Sequence, residues 1–186
     1  MIVVTHTEIT EPILEFVSLK DPHMNFGFAN RVRFDHQTDL TNKLNFTRQW
    51  CKERNITNLI MTGDISDTNE EKKWSFNQYV LNKIELLKFK DDGIQIWSPA
   101  GNHDMFNGMV QTDNTVFGEF VKEDVIKHLT REPLIKVFRC PDNVDRDICV
   151  FGIDYSKHKE IVQQELKKIN DYNKLGMVKI VVFHAH

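Results

Sequence analysis

The chain has 186 residues, 40% hydrophobic and 27% charged, and its 24 Lys and Arg against 27 Asp and Glu leave a net charge of -3. That length suits one domain with a sizeable core, and that charge excludes a whole-molecule positive field for holding nucleic acid or an anionic membrane. The 3 cysteines, Cys51, Cys140 and Cys149, have no C-x-x-C spacing, which argues against a disulfide framework and a cysteine zinc site. With no signal-peptide pattern at the start and no apolar run approaching roughly 18 residues, the expectation is a soluble, cytoplasmic protein with no membrane partner.

In chain order, residues 1–12 read as an N-terminal extension, and residues 13–19 form an apolar run of strand formers that halts at Asp21-Pro22-His23. Leu40, Leu44, Thr47 and Cys51 recur at helical spacing from Asp39, with a stop near Asn55. Leu59-Ile60-Met61-Thr62 reads as a buried strand ending at Gly63-Asp64. The next helix is expected from Asp67 or Thr68, as cap, to Lys88 and Lys90, with Trp74, Val80, Ile84 and Leu87 on its inner face and Gly93 as its breaker. Ile94–Trp97 is a third strand, running into Ser98-Pro99-Ala100-Gly101-Asn102-His103-Asp104. Residues 119–130 read as helical, 148–153 as a buried strand, and His158–Leu175 as an amphipathic helix closed by Gly176. Val178–Phe183 then leads to His184-Ala185-His186. Repeated strand-helix-strand order over 1–186, with no repeat or linker, predicts a single α/β layered domain whose polar strand ends share one edge of a sheet.

Those strand ends carry the chemistry. Asp21/His23, Asp64/Asp67, Asn102/His103/Asp104 and His184/His186 are carboxylate, imidazole and amide groups, the donor types that hold hard or borderline divalent cations. Gly63 permits a sharp turn that frees Asp64 to point inward and bridge two ions. Taken singly, each motif has an ordinary reading as a polar turn or a helix cap. Gly-Asn-His-Asp, however, is expected only about once in several hundred chains of this composition. His6, His36, His128 and His158 read as surface histidines, and Trp50, Trp74 and Trp97 as core residues.

Asp21-Pro22-His23, Gly63-Asp64-Ile65-Ser66-Asp67, Gly101-Asn102-His103-Asp104 and His184 stand in the order of the D-x-H, G-D-x-x-D, G-N-H-[DE] and strand-end H blocks of the calcineurin-like metallophosphoesterase family, which the chain resembles. The family's last block, G-H-x-H, is missing. The resemblance implies a layered α/β sheet with flanking helices, an incomplete form of the family's two-sheet sandwich. It also implies two divalent metal ions, Mn with Fe or Zn as alternatives. Asp21 and His23 would bind the first ion, Asp64 would bridge, and Asn102 and His184 would bind the second. His103 would act on the phosphate without binding metal, Asp104 would orient it from behind, and Asp67 would be a substrate-side carboxylate. Arg31 and Arg33, close after the first motif, are candidates for a substrate phosphate.

The missing block leaves two readings open. Either the chain is an N-terminal segment of a longer protein, or His184 and His186, two apart on a strand and therefore on one side, both serve as ligands. In motif form the chain looks most like the SbcD-type exonuclease subunits, which implies cleavage of phosphodiester bonds in DNA and an ATPase partner subunit. The alternatives are a phosphatase or phosphodiesterase acting on small phosphoesters or nucleotides, and a binding or inhibitory module that keeps the fold without the reaction.

Overall fold

Residues 14–20, 22–24, 34–67, 75–105, 115–139, 145–172 and 178–184 are described by the structure, a computed structural model. β1 (Val17–Leu19), α1 (Phe34–Glu53), β2 (Asn58–Met61), α2 (Phe76–Asp91), β3 (Gln95–Ser98), α3 (Val116–Lys122) and β4 (Ile126–His128) follow one another along the chain. Their strands form a sheet in the order β1-β2-β3-β4 with every pairing parallel. Parallel neighbours need a crossover, and α1, α2 and α3 supply it, so the four strands all end on the same edge.

Alternation along these strands serves two layers. Leu59, Met61 and Ile96 are buried with Leu40, Leu44, Leu86 and Phe89 of the helices, whereas Ile60 and Trp97 join Leu129, Leu134 and Val150 in a separate cluster. That cluster is the seam to a second sheet. It is formed by β5 (Leu134–Arg139), β6 (Asp145–Ile153) and β7 (Val178–Phe183) in the order β5-β6-β7, antiparallel then parallel. α4 (Lys159–Asp171) makes the crossover between β6 and β7. The fold is mixed α/β, as the alternation of elements predicts.

Several sequence expectations are corrected. The helix expected over 119–130 is α3 followed by a strand: Asp124 takes a positive φ of 58° that ends the helical path, and Ile126 pairs with Ile96 of β3. Ile126, β-branched and buried, suits a strand better than a helix. α2 begins at Phe76 after Ser75, so Asp67 does not cap it, and its buried residues are Asn82, Leu86 and Phe89 while Ile84 is 47% exposed. Its apolar residues are spread around the cylinder, and contact with the sheet selects the face. β5 was not foreseen, and β6 starts before the expected 148. Trp50 is not a core residue: it is 41% exposed, with the Arg54 guanidinium 3.4 Å over its ring. Trp97 is buried as expected, Trp74 lies outside the described residues, and Cys51 and Cys149 are buried and unbridged. Among the described residues no helix is long and apolar enough to cross a membrane.

Candidate metal centre

Two strand-end loops are zipped together by their backbones. The His23 amide donates to the Asp64 carbonyl at 2.9 Å, Met24 to Ile65 at 2.8 Å and Asp67 to Met24 at 3.0 Å. His23 and Asp64 both adopt left-handed backbone, φ 44° and 49°, a conformation that costs a non-glycine residue on the order of 1 kcal/mol or more. Gly63, at φ 92°, leads into this turn, and a Cβ on it would lie 2.8 Å from the Gly101 nitrogen and 3.2 Å from the His184 Cβ. The glycine thus allows the β2, β3 and β7 ends to converge.

The carboxylate of Asp64 is 2% exposed and stands at the meeting point. Its Oδ1 accepts the His103 amide at 2.9 Å. Its Oδ2 lies 3.6 Å from Nε2 of His23 and 3.2 Å from Nε2 of His184. On one side, ligand atoms of His23, Asp64 and His103 all lie within 4.8 Å of one another, and the rings of His23 and His103 meet edge to face at 5.3 Å. On the other side, Nε2 of His184 is 3.1 Å from Oδ1 of Asn102. Asp64 belongs to both groups.

The donor set fits divalent cations. Atoms bound about 2.0–2.2 Å from one ion lie roughly 3–4 Å apart, the spacing of Asp64 Oδ2 from His23 Nε2 and His184 Nε2 and of His184 Nε2 from Asn102 Oδ1. His184 adds a chemical argument. Its Nδ1 faces the Thr62 carbonyl at 3.2 Å, while its Nε2 faces the oxygens of Asp64 and Asn102. A neutral imidazole donates through one nitrogen only, so with Nδ1–H on Thr62 the Nε2 lone pair points at two oxygens, an arrangement that a cation between them satisfies.

Asp104 sits behind the loop that carries His103. Its fully buried carboxylate accepts the amides of Gly101 at 2.9 Å, Ser66 at 3.1 Å and Ile65 at 3.2 Å. It therefore ties the loop after β2 to the loop after β3. Burial pushes its carboxyl up to about 6, against the amides of Gly101, Ser66 and Ile65, and nearby Asp64 adds to the rise. Asp67 is half-buried just beyond the Asp64 turn. Asp21, Arg31, Arg33 and His186 lie outside the described residues.

His128 overturns its reading as a surface histidine. It ends β4, is 4% exposed, and its Nε2 meets Asp154 Oδ1 and Oδ2 at 2.8 and 3.0 Å. The rule that singled out the other polar strand ends applies equally to His128 and to Asp154, which directly follows β6. The mistaken helix over 119–130 hid the first of them. His158 is exposed as expected.

No family model and no curated protein matches the chain. Among solved structures, a dimetal phosphatase from Danio rerio is similar over 88% of this chain and 53% of its own, with a TM-score of 0.42 and 9% identity. The chain spans about half the length of that protein.

Proposed function

We propose that this chain is a metal-dependent phosphoesterase built on a dinuclear centre. The observation that carries the reading is Asp64, whose Oδ2 faces His23 Nε2 at 3.6 Å and His184 Nε2 at 3.2 Å, so that one buried carboxylate serves two donor groups. His23, Asp64 and Asp21 would hold the first ion, and Asp64, Asn102 and His184 the second, with His186 a further candidate. Such ions, Mn, Fe or Zn by their donors, supply Lewis acidity toward phosphate oxygens and lower the pKa of water toward neutrality.

The chain's own residues do the rest. Asp64 contributes the shared negative charge, and the Thr62 carbonyl sets the tautomer of His184 that turns a lone pair inward. His103, half-buried beside His23, would steady charge on the phosphate or give a proton to the leaving oxygen. Asp67, Arg31 and Arg33 are candidates for contacts on the substrate side.

DNA is the first substrate we propose, supported by the G-D-I-S-D and G-N-H-D motif forms, and an ATPase subunit is the partner that goes with it. A small phosphoester is the second reading. It is favoured by a cavity of about 280 Å³ that opens beside His184, room for a small group next to one of the donors. Mn-supplemented protein assayed on single- and double-stranded DNA and on a chromogenic bis-phosphoester separates them. DNA cleavage alone supports the nuclease and ester hydrolysis alone the small-substrate enzyme. Turnover of neither, with Mn bound, leaves a binding module.

A further inference from the structure

We infer that Asp154, with His128 and Thr130, is a clamp between the two sheets that positions the second donor group of the centre. This inference rests on the dinuclear reading and extends it to residues that are not among the proposed metal ligands.

Oδ1 of Asp154 accepts three hydrogen bonds from the first-sheet side: Thr130 Oγ1 at 2.7 Å, the Ala100 amide at 2.8 Å and His128 Nε2 at 2.8 Å. The next residue reciprocates, the Tyr155 amide donating to the Ala100 carbonyl at 2.8 Å. A third tie comes from Gly152, whose amide donates to the Leu129 carbonyl at 3.2 Å, and whose missing Cβ would lie 2.8 Å from the Thr130 nitrogen. β6 is thereby fastened to the ends of β3 and β4.

The position of this clamp gives it consequence. β6 pairs in register with β7, Ile153 opposite Phe183, so Asp154 stands beside His184, and the Tyr155 ring meets the His184 ring at 6.0 Å. On the other side, Ala100 immediately precedes Gly101 and Asn102. The clamp thus joins the neighbour of His184 to the neighbour of Asn102. The first donor group, His23, Asp64 and His103, comes entirely from ends of the first sheet, whereas the second needs Asn102 from one sheet and His184 from the other. Loosening the clamp should therefore weaken the second ion and spare the first. A general loss of structure would weaken both.

The carboxylate is suited to this task. Burial opposes its charge, but His128, the Ala100 amide and Thr130 outweigh that and hold the Asp154 carboxyl below its ordinary value. His128 packs its ring edge on Phe117 at 5.2 Å, and its Nδ1 is buried without a hydrogen-bond partner, so the ring is committed to Asp154 alone.

The test is Mn titration of the 186-residue chain and of Asp154→Ala, Asp154→Asn and Thr130→Val, followed by calorimetry and by the electron paramagnetic resonance signal of coupled ion pairs. In Asp154→Ala the second Mn should bind about 10- to 100-fold more weakly, the range for losing a partner that orients a ligand, with the coupled-pair signal replaced by that of isolated Mn. Asp154→Asn, which keeps an oxygen for the Ala100 amide, should recover most of the loss, and Thr130→Val should show a smaller loss in the same direction should the alanine variant not fold. Unchanged second-site affinity, or equal weakening of both ions, overturns the clamp. If the unaltered chain binds no Mn, the dinuclear reading fails by itself. The clamp is then judged in the metal-free chain, where Asp154→Ala, or Thr130→Val in its place, should speed hydrogen exchange at the Tyr155 amide, which donates to the Ala100 carbonyl, and leave that of Met24 unchanged, and unchanged rates at Tyr155 overturn it.

Discussion

A Cβ on Gly101 would lie 2.1 Å from Oδ1 of Asp64 and 2.3 Å from its backbone nitrogen, so the space a side chain would need at Gly101 is already filled by the shared carboxylate. The glycine of the G-N-H-D sequence is therefore required because Asp64 passes against it. Gly101→Ala should displace Asp64, cost about 3 kcal/mol, the upper part of the range for overpacking, and remove metal uptake. Denaturant unfolding and elemental analysis check it, and a variant with wild-type stability and full metal content would refute the close approach.

His103 and His184 should separate in their effects. His103→Ala is expected to lower turnover about 10²- to 10⁴-fold, the usual contribution of a general acid, with both ions retained. His184→Ala should reduce the metal content from two ions to one. Because His103 shares ligand-range geometry with His23 and Asp64, loss of metal in proportion to activity in His103→Ala would make it a ligand instead.

Asp104→Asn tests the tie between the two loops. An amide in place of the carboxylate cannot accept from the Gly101, Ile65 and Ser66 amides together, because one of its two atoms is a donor. A stability loss of about 1–3 kcal/mol is expected, the cost of one buried unsatisfied group, measured by chemical denaturation near neutral pH. No change in midpoint would show that the loop junction bears little of the stability.

The Asp154 carboxyl sets a pH window. Its folded value lies below the 3.8 of the unfolded chain, so the native state binds fewer protons than the unfolded one in that range. Its contribution is fully present above about pH 4 and is lost as pH falls through the lowered folded value. The stability gap between the unaltered chain and Asp154→Asn should narrow as denaturation is repeated from about pH 5 down to about pH 2. A gap that widens over that interval would reverse the sign of the shift.

The sequence by itself determined the alternation of strands and helices and the convergence of polar strand ends. Both follow from local patterns: Leu59-Ile60-Met61 can only be a short buried strand, and Gly63-Asp64 and Gly101-Asn102-His103-Asp104 must turn where those strands stop. The parallel topology then brings those turns to one edge whatever the details of packing. Tertiary structure decided the matters that depend on long-range partners. Residues 126–128 become a strand because β3 offers an open edge, which outweighs the continuation of a seven-residue helix. Asp104 serves the amides of Ile65 and Ser66, whose nearness to it no sequence spacing discloses. His128 is buried because Asp154, from the other sheet, arrives to pair with it. A buried polar side chain is placed by whichever group satisfies it, and that group comes from a distant part of the chain.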